Sequence, residues 1–340
     1  MLSVAETNQP PANPIRRIEW ISLLEKFGVV LFLLVLILFF QLQNERFLSI
    51  RNILNILSDV SIYGILSVGM TFVILTSGID LSVGSLLAFA SMCGAVTVKS
   101  WAGLNASGLS WLVALVISLT VGWVAGFLHG KAITKLRVPA FIVTLGGMTL
   151  WRGATLMLSN GSPISGFDNF YRWWGRGDIF GIPFLVIISA VVAASGFITL
   201  RYTQFGRHVY AVGDNPEAAR LSGLNVDGVL ISVYAIMGFL AGLAGFILSA
   251  RLSSAEAVAG EGYELRVIAS VVIGGTSLFG GLGGIGGTIV GTLLIGVLLN
   301  GLVIMNVSAY SQQVIIGIII VFAVAFDTFA KTRRGRAIGK

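Results

Sequence analysis

Apolar residues in this chain fall in long blocks rather than at the three-to-four-residue spacing of a half-buried helix. Uncharged or nearly uncharged stretches cover residues 27–43, 60–79, 81–98, 109–128, 138–158, 179–200 and 229–250. Each is close to the ~20 residues that a helix needs to cross a bilayer. From Val267 to Phe326 no charged side chain occurs. Polar breaks at Asn300, Asn306 and Ser311-Gln312-Gln313, with a glycine-dense turn near Phe279–Gly284, divide this stretch into three, although its glycine-rich part also suits a re-entrant segment. The pattern predicts an all-α integral membrane protein with about ten transmembrane helices. Its parts are a tail at 1–26, a single transmembrane domain at 27–330 with a polar loop at 201–227, and a basic tail at 331–340.

Composition agrees with lipid as the main solvent. Mean hydropathy is +0.92, and charged residues make up 11% of the chain, too few to cover a soluble surface. The net charge of +7 does not suggest nucleic acid, because the basic residues are scattered among apolar blocks and line no aromatic-rich face. They set orientation instead. With the N-terminus inside, the inner segments hold Arg16, Arg17, Lys26, Lys131, Lys135, Arg137, Arg201, Arg207, Arg220, Lys331, Arg333, Arg334, Arg336 and Lys340, which is 14 of the 22 basic residues. That excess follows the positive-inside rule and puts both termini in the cytoplasm, with Trp101, Trp111, Trp173 and Trp174 near the outer interface. The run Phe27–Phe40 has no small-residue cleavage site after it and is read as a retained first span. Residues 1–14 hold three of the seven prolines and are expected to be disordered.

The 43 glycines would each cost a soluble helix about 1 kcal/mol against alanine. In lipid they let helices approach closely. Small-xxx-small spacings at Gly122 and Gly126, Gly238 and Gly242, and Gly283, Gly287 and Gly291 predict tightly packed helices.

Catalytic chemistry is sparse. Gly281-Leu-Gly-Gly-Ile-Gly286 fits GxGxxG, but it lies in an uncharged membrane stretch with no acid about 20 residues on. No GxxxxGK[ST] occurs, so any ATP must be held by another polypeptide. His129 and His208 show no metal-ligand spacing, and no triad or carboxylate pair can be assembled. The single Cys93 excludes an intrachain disulfide. No metal site and no enzyme activity are expected. Asp80, in Thr76-Ser-Gly-Ile-Asp-Leu-Ser-Val-Gly84, is either an intramembrane charge on a pathway or, as capping chemistry favours, the cap of a helix starting at Leu81. Arg152 is expected to snorkel to the outer interface. In the inner loop Asn215 can cap a short helix, Pro216 suits its first position, Glu217 its positive end and Gly223 its termination.

Glu217-Ala218-Ala219 followed by Gly223 resembles the EAA-type loop with which ABC importer permeases dock into their ATPase, without its Leu-Pro continuation. Gly69-Met-Thr-Phe-Val-Ile-Leu-Thr-Ser-Gly-Ile-Asp-Leu-Ser-Val-Gly-Ser85, Asn160-Gly-Ser-Pro-Ile164, Ala219-Arg-Leu-Ser-Gly-Leu-Asn-Val226, Gly262-Tyr-Glu-Leu265 and Gly274-Gly-Thr-Ser-Leu278, in this order, resemble the ribose-type branch of the monosaccharide ABC permeases. The resemblance runs from about Phe47 to Asp327. It implies a permease homodimer in a bacterial cytoplasmic (inner) membrane, moving ribose or a related sugar delivered by a periplasmic binding protein. ATP and magnesium would be bound by a partner ATPase, with no cofactor in this chain. Asn215, Glu217, Ala218, Ala219, Arg220 and Gly223 become the candidate coupling residues. Asp80 and Ser82, with Gly274, Gly275 and Thr276, become the candidate pathway or gate. Glu256, Glu261 and Glu264 become the candidate contact with the binding protein. The alternatives are a permease for autoinducer-2 or branched-chain amino acids, and a secondary transporter driven by an ion gradient.

Overall fold

The computed structural model describes residues 20–101 and 108–338. The expected disordered tail at 1–14, Arg16, Arg17 and Lys340 lie outside the described residues. In chain order the helices are α1 (Trp20–Gln43), α2 (Ile50–Leu75), α3 (Val83–Ser100), α4 (Ser110–Lys135), α5 (Ala140–Ser159), α6 (Asn169–Arg176), α7 (Phe184–Tyr202), α8 (Gln204–Asp214), α9 (Pro216–Leu221), α10 (Val226–Leu252), α11 (Tyr263–Ile273), α12 (Ile285–Ile304) and α13 (Ala309–Ile338). Two-residue strands β1 (Ile164–Ser165), β2 (Asp178–Ile179), β3 (Ile182–Pro183) and β4 (Ser254–Ala255) tie loops together.

Among the described residues seven helices, α2, α3, α4, α5, α7, α10 and α12, are long and apolar enough to cross a membrane. The apolar parts of α1 and α13, Gly28–Gln43 and Ala309–Phe322, are shorter. The stretch 267–326 departs from the expected three full spans. Its first helix, α11, has 11 residues, which rise ~16 Å, about half of a hydrocarbon core. Glycine sets both ends of α11: Gly262 precedes it at φ +74° and Gly275 follows it at φ +87°, conformations that other residues adopt only with strain.

The long helix α10 packs along α2, α3 and α4, and its contact with α4 uses the small-residue spacing read from the sequence. A Cβ on Gly122 would lie 2.2 Å from the Gly238 oxygen, and one on Gly242 would lie 2.2 Å from the Ser118 oxygen. Main chain meets main chain along this seam, so any larger side chain would force the helices apart. At one end of the bundle β1 pairs with β4, Ile164 opposite Ala255. The same end carries α6, whose Trp174 stacks on Trp111 with ring centroids 4.9 Å apart. The opposite end carries α8 and α9.

Candidate functional site

Two helices begin inside the bundle rather than at its ends. α2 stops where Ser77 takes φ +61° and Gly78 follows. The chain turns through Ile79–Ser82 before α3 starts at Val83. α11 starts at Tyr263, whose ring lies 4.6 Å from that of Tyr63, and Tyr63 is halfway along α2. Arg266 holds this level by donating from Nη1 to the Tyr63 hydroxyl at 2.6 Å. The first turn of α3 reaches the same place. A Cβ on Gly84 would fall 2.0 Å from the Gly260 oxygen and 2.8 Å from Glu264 Oε2. Two helix N-termini, each worth about half a positive charge, therefore abut beside Glu264, the acid in the first turn of α11. Asp80 lies just ahead of α3.

Asp80 is fully buried. Its Oδ1 accepts the Ser82 backbone N–H at 2.8 Å and the Ser82 hydroxyl at 2.6 Å. This corrects the expected cap: α3 begins at Val83, Ser82 occupies the cap position, and Asp80 secures Ser82 from two residues back. A chain of polar contacts leads into the pair. Trp151 on α5 donates its indole N–H to His129 Nε2 at 3.1 Å, which leaves the ring proton on Nδ1. Nδ1 lies 3.5 Å from Ser82 Oγ. Thr144 donates to the Ile79 oxygen at 3.1 Å. Asp80 Oδ2 and the Tyr234 hydroxyl are both buried without a hydrogen-bond partner. His129 and Trp151 carried no signal in the sequence, because each meets the network from another helix.

Arg152 reaches from α5 to the loop that follows β4. Its Nη1 donates to the Ala257 and Ala259 oxygens at 2.6 and 3.0 Å, so α5 pins the segment that enters α11. Its charge also faces Glu261 and Glu264. The three loop glutamates do not form one outward surface. Glu261 is exposed, Glu256 is half-buried, and Glu264 is drawn in beside Gly84.

At the other end, the short α9 forms as its caps require. Asn215 accepts the Ala218 N–H at 3.0 Å, Pro216 opens the helix, and Glu217 pairs with Arg220 at 2.9 Å. Gly223 at φ +84° ends it, with Leu224 N–H donating back to the Ala219 oxygen at 3.0 Å. Ala219 is buried, while Leu221 stands 89% exposed at the tip, an apolar side chain with no cover in this chain. α8, directly before α9, is fastened to the bundle at three points. Ser77 Oγ donates to the Phe279 oxygen at 2.8 Å and to the Gly213 oxygen at 3.3 Å. Tyr210 donates to the Gly283 oxygen at 2.9 Å. A Cβ on Gly213 would lie 1.7 Å from the Leu75 oxygen, which itself accepts Gly281 N–H at 3.0 Å. Helix α8 thus joins the end of α2 to the turn between α11 and α12. Gly274, Gly275 and Thr276 begin that turn. Gly274 packs its backbone on Gly287, Thr276 is buried, and the Thr276 hydroxyl has no partner.

A family model described as the permease component of the branched-chain amino acid transport system matches residues 52–324. The chain is 43% identical over 314 residues to the ribose import permease protein RbsC of Bacillus subtilis, covering 92% of this chain and 95% of that protein. It is 46% identical over 299 residues to the ribose import permease protein RbsC of Escherichia coli K12, covering 87% and 91%. To the D-allose transport system permease protein AlsC of Escherichia coli K12 it is 38% identical over 305 residues, covering 89% and 91%. No solved structure matches.

Proposed function

Because the chain belongs to the branched-chain amino acid transport system permease family, we propose that it is the membrane subunit of an ATP-binding-cassette importer for a monosaccharide, ribose or a close relative. The observation that carries the sugar is the identity of 43% and 46% to two ribose permeases along almost the whole chain. On this reading two copies form the pore in a bacterial inner membrane. Both termini and the α8–α9 end face the cytoplasm, and the descent from Ser253 through α11 completes one of about ten crossings, each needing ~30 Å of chain through hydrocarbon. A partner ATPase holds ATP and magnesium and grips α9 through Asn215–Gly223. A periplasmic binding protein delivers sugar at the β1–β4 end, with Glu256 and Glu261 in reach.

The fastening of α8 supports a mechanical route. Movement of α9 must displace α8, and α8 is wedged between Leu75 and Gly281. The end of α2 and the turn at Gly274–Thr276 would then shift together. Gly84 and Gly260 would repack as the bundle switches between outward-open and inward-open arrangements. Vesicles containing the chain should accumulate ribose only with binding protein, partner ATPase and ATP. Uptake by the chain alone, driven by a proton or sodium gradient, would overturn the assignment.

A further inference from the structure

Two grooves run end to end along α7 and α12, and Phe197 lines both. The first, about 460 Å³, lies between α2, α7 and α12 and is walled by Leu57, Val60, Val68, Val186, Ala193 and Leu293. Its hydroxyls are largely engaged within the protein. Ser61 donates to the Leu57 oxygen at 2.6 Å, Thr292 donates to the Thr288 oxygen at 2.7 Å, and Thr288 pairs with Thr71 at 2.7 Å. A polyhydroxylated solute finds little to bind there, whereas a hydrocarbon chain does. From Leu57 to Val68 the slot follows α2 for ~16 Å, and its end at Val68, Ala193 and Phe197 is the one nearer α8.

The second groove, about 820 Å³, continues from Phe197 toward the α8–α9 end and changes character. Arg201 and Arg207 line it together with Tyr210 and the Gly283–Gly287 backbone. Both arginines are exposed, and neither has an ion-pair partner among the described residues. Tyr210 is already committed to Gly283. Ile285, Gly286 and Gly287, the first turn of α12, line the same space, and the first N–H groups of a helix have no intrahelical carbonyl to bond. A slot with an apolar shaft and a doubly cationic mouth at the membrane boundary has the charge and shape of a phospholipid: guanidinium forks suit a phosphate, and basic pockets between helices recognise anionic headgroups.

We propose that the groove between α2, α7 and α12 binds one anionic phospholipid of the leaflet on the α8–α9 side. Its phosphate sits between Arg201, Arg207 and the start of α12, and one acyl chain enters the slot past Phe197 toward Ala193 and Val68. The test is native mass spectrometry of the full chain, delipidated and then titrated with phosphatidylglycerol or phosphatidylcholine. Wild type should retain phosphatidylglycerol at least about tenfold better. The double variant R201Q/R207Q should lose that preference without losing thermal stability, and Ala194→Trp, which fills the slot, should lower retention of both lipids. Equal retention of the two lipids by wild type would overturn the proposal, as would an unchanged preference in the arginine variant. If Ala194→Trp leaves lipid retention intact and instead dissociates a dimer in the same spectra, the slot belongs to a second copy and the proposal fails.

Discussion

Gly84 and Gly260 touch main chain to main chain, so that a methyl group on Gly84 would lie 2.0 Å from the Gly260 oxygen. The contact locks the start of α3 to the segment leading into α11, and it has room for no side chain on either partner.

Gly84→Ala should therefore lower the thermal midpoint, with a cost in the ~1–3 kcal/mol range typical of overpacking, and should abolish sugar uptake. Gly146→Ala is the control, since a Cβ there meets nothing within 4 Å. Differential scanning fluorimetry of the two variants makes the comparison. Equal midpoints would mean that the junction gives way easily.

Asp80 separates a structural role from a charged pathway. Asp80→Asn keeps an oxygen for the Ser82 N–H and hydroxyl, and should preserve both folding and transport. Asp80→Ala leaves those two donors unpaired in a buried site, at roughly 1–3 kcal/mol for each, and should fold poorly. Loss of uptake in a well-folded Asp80→Asn variant would instead make the carboxylate charge part of the pathway.

Glu217 tests the docking helix. Its pair with Arg220 is solvent-exposed and contributes little to stability, so Glu217→Lys should leave the thermal midpoint of the permease unchanged. Sugar-stimulated ATP hydrolysis by the assembled transporter should be lost. Full stimulation in this variant would remove α9 from the coupling route.

Gly213 tests the link behind that helix. Gly213→Val must push α8 away from Leu75 while leaving α9 intact. The ATPase should still co-purify with the permease, and hydrolysis should no longer drive uptake. Wild-type uptake would show that motion reaches the pore by another path.

Orientation can be read by labelling with a membrane-impermeant maleimide after replacing the native thiol, Cys93→Ser. Leu221→Cys, at an 89% exposed site, should react only from the cytoplasmic side, and Phe180→Cys, at a fully exposed site, only from the outside. Reversed labelling would invert the assignment of α8–α9 to the cytoplasm.

What depends on neighbours along the chain could be read from the residues alone. An apolar stretch must be helical in lipid because no water is present to satisfy its backbone, so the positions of the long helices were legible without tertiary information. So was α9, because Asn215, Pro216 and Gly223 act on the few residues beside them. Tertiary structure decided everything that depends on approach between distant segments. It shortened α11 to half a membrane, with glycines at both ends and the preceding loop held from α5 by Arg152, which donates to the Ala257 and Ala259 oxygens. It turned Asp80 from the cap of a helix at Leu81 into the anchor of Ser82, with His129 and Trp151 behind it. It also gave Gly84 and Gly213 their purpose. A glycine in the sequence shows only that a side chain is missing, and the carbonyl that fills the space comes from a helix elsewhere in the chain.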